Sequence, residues 1–370
     1  MRPRRILVLA EGQLGDLLLL TPALRALKES FPEAVLGVCV VQRRSYVPGL
    51  PAPLLAEQPA QGTTEVVAPF ADEVFEVSRP ALRESGGLKR LRAEAAVLRR
   101  IRKGKYDTVI SCFPEDRFAV WALLSGARRR IGQNRQPLAA LYTVRPAIRK
   151  EDGGVLGYYA ALAGAAGAGV RSLATEFRVS AEEKESAGAL LAGLGILPHE
   201  RIVVIHPGAS GPYRVWPPER FARVAGIIKD DHGIRPVLCG TAYDARALEA
   251  VRSHVRPDIP QLVLASVRGL AALLSRASLC LSNDSGPRHL AVAVGTPSVA
   301  ILPKHNERAW GVYEDGKAAS YVIASEACPL CPPERCLDRH HEGEEFGSAC
   351  MRMVSVEEVL ARIRRVLSTS

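Results

Sequence analysis

Short runs of consecutive apolar residues recur along this chain, each giving way to a polar or glycine-bearing turn and then to a segment whose apolar positions return every three or four residues. Runs of that length read as buried strands, and the segments after them as helices with one apolar face. In the first half the pattern predicts strands over 6–10, 35–41, 73–77 and 106–112, with a short edge at 130–132. Helices are predicted from the turn at 11–16 to residue 30, and over 88–102, 118–124 and 155–168. Pro22 lies inside the first of these, where it either kinks the helix or begins it with Thr21 as cap. In the second half strands are predicted over 202–205, 235–239, 262–265, 279–281 and 297–302, the last clear one. Between them, Phe221, Val224, Ala225 and Ile228 share one helical face, with Gly233 ending that helix, and further helices fall at 245–255, 269–276, 290–294 and 356–367. Strand and helix alternating twice over predicts two α/β domains with largely parallel sheets. The composition turns polar at 180–186, the best linker candidate, so the domains are drawn at 1–178 and 179–354.

In open α/β sheets ligands gather beyond the carboxyl ends of the strands, which should bring loops 206–214, 240–244 and 283–289 together. The richest of these is Ser282-Asn283-Asp284-Ser285-Gly286-Pro287-Arg288-His289, between an apolar strand and an apolar helix. A turn there aims free backbone N–H groups and the positive end of a helix dipole at one spot, which suits a phosphate. Gly286 allows close backbone approach, Asp284 and Ser285 can bond ribose or phosphate oxygens, and His289 can donate. Ser210 and its neighbours Gly208 and Ala209 add donors, and Arg214 adds a phosphate cation. Asp244 is a ribose acceptor or a helix cap, and His206 a ligand contact or a structural histidine. In the first half Gly15-Asp16 follows a buried strand directly, so Asp16 is either a cap or a carboxylate presented at the sheet edge as a general base. Only Gly12 and Gly15 stand in that turn, so the three-glycine dinucleotide fingerprint is lacking and an NAD site is disfavoured.

With 370 residues, 47% of them hydrophobic, the chain can bury substantial cores. Glu11 and Asp16 interrupt the first apolar stretch before it could be a signal core, and no run is long enough to span a bilayer, so a soluble cytoplasmic protein is expected. A formal net charge of +10 favours anionic partners. The basic clusters at 99–103 and 128–130 carry few aromatics, which argues against a nucleic-acid surface. The basic helix at 88–103 is instead a solvated face or one that lies on anionic lipid. Of eight cysteines, Cys39, Cys112, Cys239 and Cys280 read as small buried hydrophobes. Cys328, Cys331, Cys336 and Cys350 share one polar stretch with His340 and His341, a candidate structural zinc site or a loop of reduced or disulfide-closed thiols.

Taken in order, several strings resemble the ADP-heptose:lipopolysaccharide heptosyltransferase family, glycosyltransferase family 9, of GT-B architecture. They are Leu14-Gly15-Asp16-Leu17-Leu18 with Thr21-Pro22-Ala23-Leu24, Tyr106-Asp107-Thr108-Val109-Ile110, Arg130-Ile131-Gly132, His206-Pro207-Gly208-Ala209-Ser210, Arg214-Val215-Trp216-Pro217-Pro218-Glu219-Arg220-Phe221, and Asn283 through Ala291. The resemblance implies two Rossmann-like domains facing across a cleft, with the terminal helix, residues 355–370, crossing back onto the first and a hinge near 172–186. It implies inverting, metal-independent sugar transfer, typically of heptose from ADP-heptose to a lipopolysaccharide-core or related glycan acceptor at the cytoplasmic face of the inner membrane. Asp16 falls on the family's general base, with Gly15 beside it on the acceptor side. Ser210, Arg214, Asp284, Ser285, Gly286, Pro287 and His289 fall on the donor site, and Asp244 approximately on its acidic ribose contact. The alternatives are another GT-B enzyme, such as a sugar-nucleotide epimerase, or a non-catalytic nucleotide-sugar binding protein. Two departures bear on specificity: Ala10-Glu11 where many members have a basic residue, and Leu302-Pro303-Lys304-His305 in place of Gly-Pro-Thr.

Overall fold

In the computed structural model, which describes residues 2–42, 55–56, 63–79, 82, 87–148, 153–303, 313–314, 318–324 and 346–368, the apolar runs become the strands of two separate sheets. The chain divides into two units, Met1–Thr175 and Glu176–Ser370. The division falls three residues before the boundary read from composition.

The first unit is built on β1 (Arg5–Glu11), β2 (Val35–Gln42), β3 (Leu55–Ala56), β4 (Glu73–Ser78), β5 (Thr108–Ser111) and β6 (Arg129–Ile131), in spatial order β3-β4-β2-β1-β5-β6. All pairings are parallel except β3 with β4. Leu7, Leu9, Cys39, Val41, Phe75 and Val77 turn one face of this sheet into a core with α2 (Gly87–Lys103) and α3 (Asp116–Leu124). The first helix, α1 (Leu14–Ser30), begins at Leu14, so Thr21 does not cap it. Pro22 sits inside it without an N–H for the Leu18 carbonyl, and the Thr21 hydroxyl donates to that carbonyl instead at 2.7 Å. The glycine- and alanine-rich segment forms α4 (Gly154–Ala165), packed along α1. No helix among the described residues is long and apolar enough to cross a membrane.

The second unit carries β7 (Ile202–His206), β8 (Arg235–Gly240), β9 (Gln261–Val263), β10 (Leu279–Asn283), β11 (Ser298–Leu302), β12 (Tyr313–Glu314) and β13 (Ala319–Ala324), in order β12-β13-β11-β10-β7-β8-β9. Here β13 continues the parallel sheet beyond β11, the last strand expected from sequence, and β12 adds an antiparallel edge. The polar stretch after residue 180 is no linker. It opens α5 (Ala181–Gly193), where Ser180 and Glu183 form a reciprocal capping box.

The terminal helix α11 (Val356–Ser368) departs from the expectation that it crosses to the first unit. Its buried Val356, Val359, Leu360, Ile363 and Val366 belong to the core of the second unit, with Val203, Phe221, Leu281 and Val299. The preceding chain is held to the same unit, because the Trp216 indole donates to the Val354 carbonyl at 3.0 Å and Arg220 donates to the carbonyls of Arg352 and Val354, both at 2.6 Å.

Candidate active site

Three loops leave the carboxyl ends of β7, β8 and β10, and buried polar side chains tie them together. Asn283, the last residue of β10 and fully buried, accepts from the Trp216 backbone N–H through Oδ1 at 2.9 Å and donates from Nδ2 to the Pro207 carbonyl at 2.7 Å. Both ends of one amide thus hold the loop after β7 against the end of β10. On the other side, His206 Nε2 lies 3.3 Å from Asp244 Oδ2, across from the end of β7 to the turn after β8. The same oxygen accepts from the backbone N–H and the hydroxyl of Thr241 at 2.8 and 2.9 Å. Burial alone would raise the Asp244 carboxyl, but the His206 imidazole and the Thr241 donors outweigh it and hold it down at about 2. The residue expected to read ribose therefore has Oδ2 committed to the fold, and Oδ1 faces Gly208.

At the end of β10 the chain enters α9 (Gly286–Ala293) through Ser285, whose backbone is extended (φ −151°, ψ 169°). Its hydroxyl donates back to the Asn283 carbonyl at 3.3 Å rather than capping the helix. The first turn, with Gly286 and Pro287 leading, keeps its dipole end uncapped by that side chain. Beside it, Asp284 is buried and lies 3.3 Å from Arg288 Nη1 and 3.7 Å from Arg214 Nη1. Arg288 is wholly buried, and that burial lowers its pKa against the pull of the Asp284 charge. Arg214, partly exposed in the short turn Pro212–Arg214, also donates from Nε to the Tyr213 hydroxyl oxygen at 3.1 Å. Two guanidiniums against one carboxylate leave this helix start positive, the charge an anionic ligand needs. Ser210 lies exposed further along the same loop.

His289, in the following turn position, is buried, and its Nδ1 is 2.8 Å from the hydroxyl of Tyr313, with which it stacks. Burial first, and the Arg288 charge second, push its pKa well below the ordinary histidine value, so the ring is neutral. Asn283, Arg288 and Tyr313 were not singled out from sequence. The first two stand inside the motif that drew attention, whereas Tyr313 lies 24 positions away from its partner and carried no signal.

Asp16 belongs to the first unit. It is the third residue of α1, partly buried, where an acidic side chain suits the helix dipole. Tyr159 of α4 is near enough for the Asp16 and Glu11 charges to add to the burial that raises its pKa. Glu11 is itself buried and paired: Arg79 reaches it from Nη1 at 2.9 Å and Glu115 from Nη2 at 3.0 Å. The acidic departure at residue 11 is therefore part of an ion triad at the carboxyl edge of β1, β4 and β5. Of the cysteine-rich stretch, Cys328, Cys331 and Cys336 lie outside the described residues. Cys350 is buried in the second unit's core, 3.1 Å from the Ser348 hydroxyl. Among the described residues no group of three or more His, Cys, Asp or Glu could hold a metal ion. Lys304 and His305 also lie outside the described residues.

Two α/β units, each on a largely parallel sheet, have the architecture of the GT-B class. The sequence profile of Glycosyltransferase family 9 (heptosyltransferase) matches residues 95–334, and the chain belongs to that family. Lipopolysaccharide heptosyltransferase 3 of Escherichia coli is 25% identical over 315 residues, covering 80% of this chain and 82% of that one. The similarity to lipooligosaccharide heptosyltransferase 2 of Campylobacter jejuni, 25% identical over 175 residues and 46% of this chain, spans only about half (52%) of that relative. A solved glycosyl transferase family 9 structure from Veillonella parvula shares the fold at a TM-score of 0.73 and 22% identity, covering 99% of this chain and 98% of that one. The E. coli heptosyltransferase WaaC with ADP does so at 0.67 and 17%, covering 98% and 99%.

Proposed function

We propose that this glycosyltransferase carries out inverting, metal-independent transfer of heptose from ADP-heptose to a lipopolysaccharide-core or related glycan acceptor. The observation that carries the donor half is the uncapped start of α9, flanked by Arg214 and by the buried Asp284–Arg288 pair. A diphosphate fits that charge and those donors, and the solved relative WaaC was crystallised with ADP. Ser210, Ser285, Gly286, Pro287 and His289 complete the donor site in this reading, while Asp244 braces the loop that bears Ser210 and Arg214.

In the acceptor half, Asp16 with Gly15 beside it takes the proton from an acceptor hydroxyl. The hydroxyl oxygen attacks the anomeric carbon, the bond from that carbon to the β-phosphate oxygen breaks, and its electron pair leaves on the diphosphate. Positive charge fixed beforehand at the start of α9 stabilises that developing negative charge. General-base catalysis of this kind contributes roughly 10²–10⁴-fold. Asp16→Asn should therefore keep ADP affinity by calorimetry and lose about that much turnover. Undiminished transfer by the variant would remove Asp16 from the role. An epimerase would convert the donor with no acceptor present, and a binding protein would convert nothing, so mass spectrometry of donor alone and of donor plus lipopolysaccharide core separates the three.

The acceptor class suggests where the protein works. Along α2, Lys89, Arg90, Arg92, Arg99, Arg102 and Lys103 are exposed, and Leu88 and Leu91 at its start are 63% and 67% exposed. That face suits an anionic bilayer surface, which supports peripheral attachment at the cytoplasmic side of the inner membrane.

A further inference from the structure

The His289–Tyr313 pair has a feature that packing alone does not require. The ring centroids are 5.5 Å apart at 17°, and the phenol oxygen is 2.8 Å from Nδ1. A stack would be satisfied by phenylalanine; the hydroxyl adds a bond to one chosen nitrogen. A neutral imidazole has one N–H and one lone pair, and the partner of one nitrogen decides the state of the other. The phenol O–H is the stronger donor and an imidazole nitrogen the stronger acceptor, which favours a bond from Tyr313 to Nδ1 with the ring proton on Nε2.

Tyr313 comes to this place through tertiary structure. It pairs antiparallel with Ser320 in the two-residue edge strand β12, and its ring also lies 5.9 Å from the Arg288 guanidinium. One side chain thus touches both residues that follow Pro287 in the first turns of α9.

We propose that Tyr313 is a positioning residue that fixes His289 as the Nε2–H tautomer, so that the imidazole offers a donor to the diphosphate of a nucleotide sugar. The opposite tautomer would turn a lone pair toward an anion and repel it. This rests on the reading of α9 as the donor site.

The test is Tyr313→Phe, which keeps the ring and removes the hydroxyl. In the unliganded wild type, ¹⁵N spectra of the imidazole should give Nε2 the protonated signature and Nδ1 that of a hydrogen-bonded lone pair. In the variant the Nδ1 signal should lose that hydrogen-bonded position and the two nitrogens move toward a mixture of tautomers. Losing one ordinary hydrogen bond's worth of preorganisation should weaken ADP binding roughly 3- to 10-fold. In a His289→Gln background, where the amide supplies a donor of its own, Tyr313→Phe should weaken it no further. A wild type protonated at Nδ1, spectra unchanged by the substitution, or a tautomer change with unaltered ADP affinity would each overturn the proposal. A wild type that binds no nucleoside diphosphate would instead defeat the donor reading, and the tautomer would still be decided by the spectra of the unliganded protein.

Discussion

Gly208→Ala is a small change with a large expected consequence. A β-carbon on Gly208 would stand 1.8 Å from Asp244 Oδ1, 2.6 Å from its Cγ and 2.9 Å from His206 Cε1. Non-bonded carbon and oxygen do not approach so closely, so the carboxylate must leave. It cannot leave without giving up His206 at 3.3 Å and the two Thr241 donors at 2.8 and 2.9 Å. Those contacts, working against burial, lower the Asp244 carboxyl from 3.8 to about 2. That shift is worth about 2 kcal/mol at neutral pH.

The sign follows from linkage. The folded pKa is depressed, so the contribution is complete above the unfolded value near 4 and disappears as pH falls from there through about 2. Gly208→Ala should therefore lower stability by about 2 kcal/mol or more at pH 7, and the gap to wild type should narrow by about that amount as pH falls through this window. Urea unfolding followed through the fluorescence of the buried Trp216 reads the difference at each pH. Asp244→Ala should cost nearly as much alone, and Gly208→Ala added to it should cost little more, because the clashing oxygens are gone. A Gly208→Ala protein as stable as wild type at pH 7, or two substitutions that simply add, would refute the reasoning.

Asn283→Ala strands the Trp216 N–H and the Pro207 carbonyl in the interior, so it should destabilise by roughly 2–6 kcal/mol, at 1–3 per buried group left unsatisfied, and weaken ADP binding; a urea midpoint within error of wild type would contradict the stapling role. The exposed cations of α2, worth about 1 kcal/mol each near an anionic surface, should make the protein sediment with phosphatidylglycerol vesicles. Equal binding to neutral vesicles, or binding that survives high salt and the Arg90→Glu/Arg92→Glu change, would contradict the electrostatic attachment.

The central strands were legible because a strand covered on both faces must be apolar throughout, and 6–10, 202–205 and 279–281 are. The outer strand Ala319–Ala324 was not. Its Ser320 hydroxyl pairs with that of Ser298 at 3.0 Å inside the sheet, and this buried polar pair breaks the apolar run that would have announced it. The stretch after Ser180 departs from expectation for the converse reason: its acidic residues look like a linker, yet Ser180 and Glu183 stand at capping-box spacing, a local signal stronger than composition. The terminal helix carried a clear apolar stripe, but a stripe does not say which sheet it covers. At the site, the turn after β10 could be read because helix-start chemistry is local. The Asp244–His206 and His289–Tyr313 contacts join separate loops, and nothing in the chain order foretells such pairs.

An aspartate at the mouth of the proposed anion site looks like a contradiction, and the burial of its partners resolves it. Arg288 has no exposure at all, and a guanidinium so placed would be costly without a counter-charge. Asp284, four residues earlier on the same turn, supplies one at 3.3 Å, and its other oxygen faces Arg214 at 3.7 Å. The carboxylate thus neutralises the arginine that never meets solvent and orients the one that does. What remains is one positive charge held on the loop after β7, next to a helix start whose dipole points the same way. A leaving group that gains negative charge only as its bond to sugar breaks needs a charge fixed in advance, because reorienting dipoles at that moment would add to the barrier. In the proposed donor site the buried pair makes Arg214 such a fixed charge, and this accounts for the burial of Asp284 and Arg288 in a turn otherwise made for a ligand.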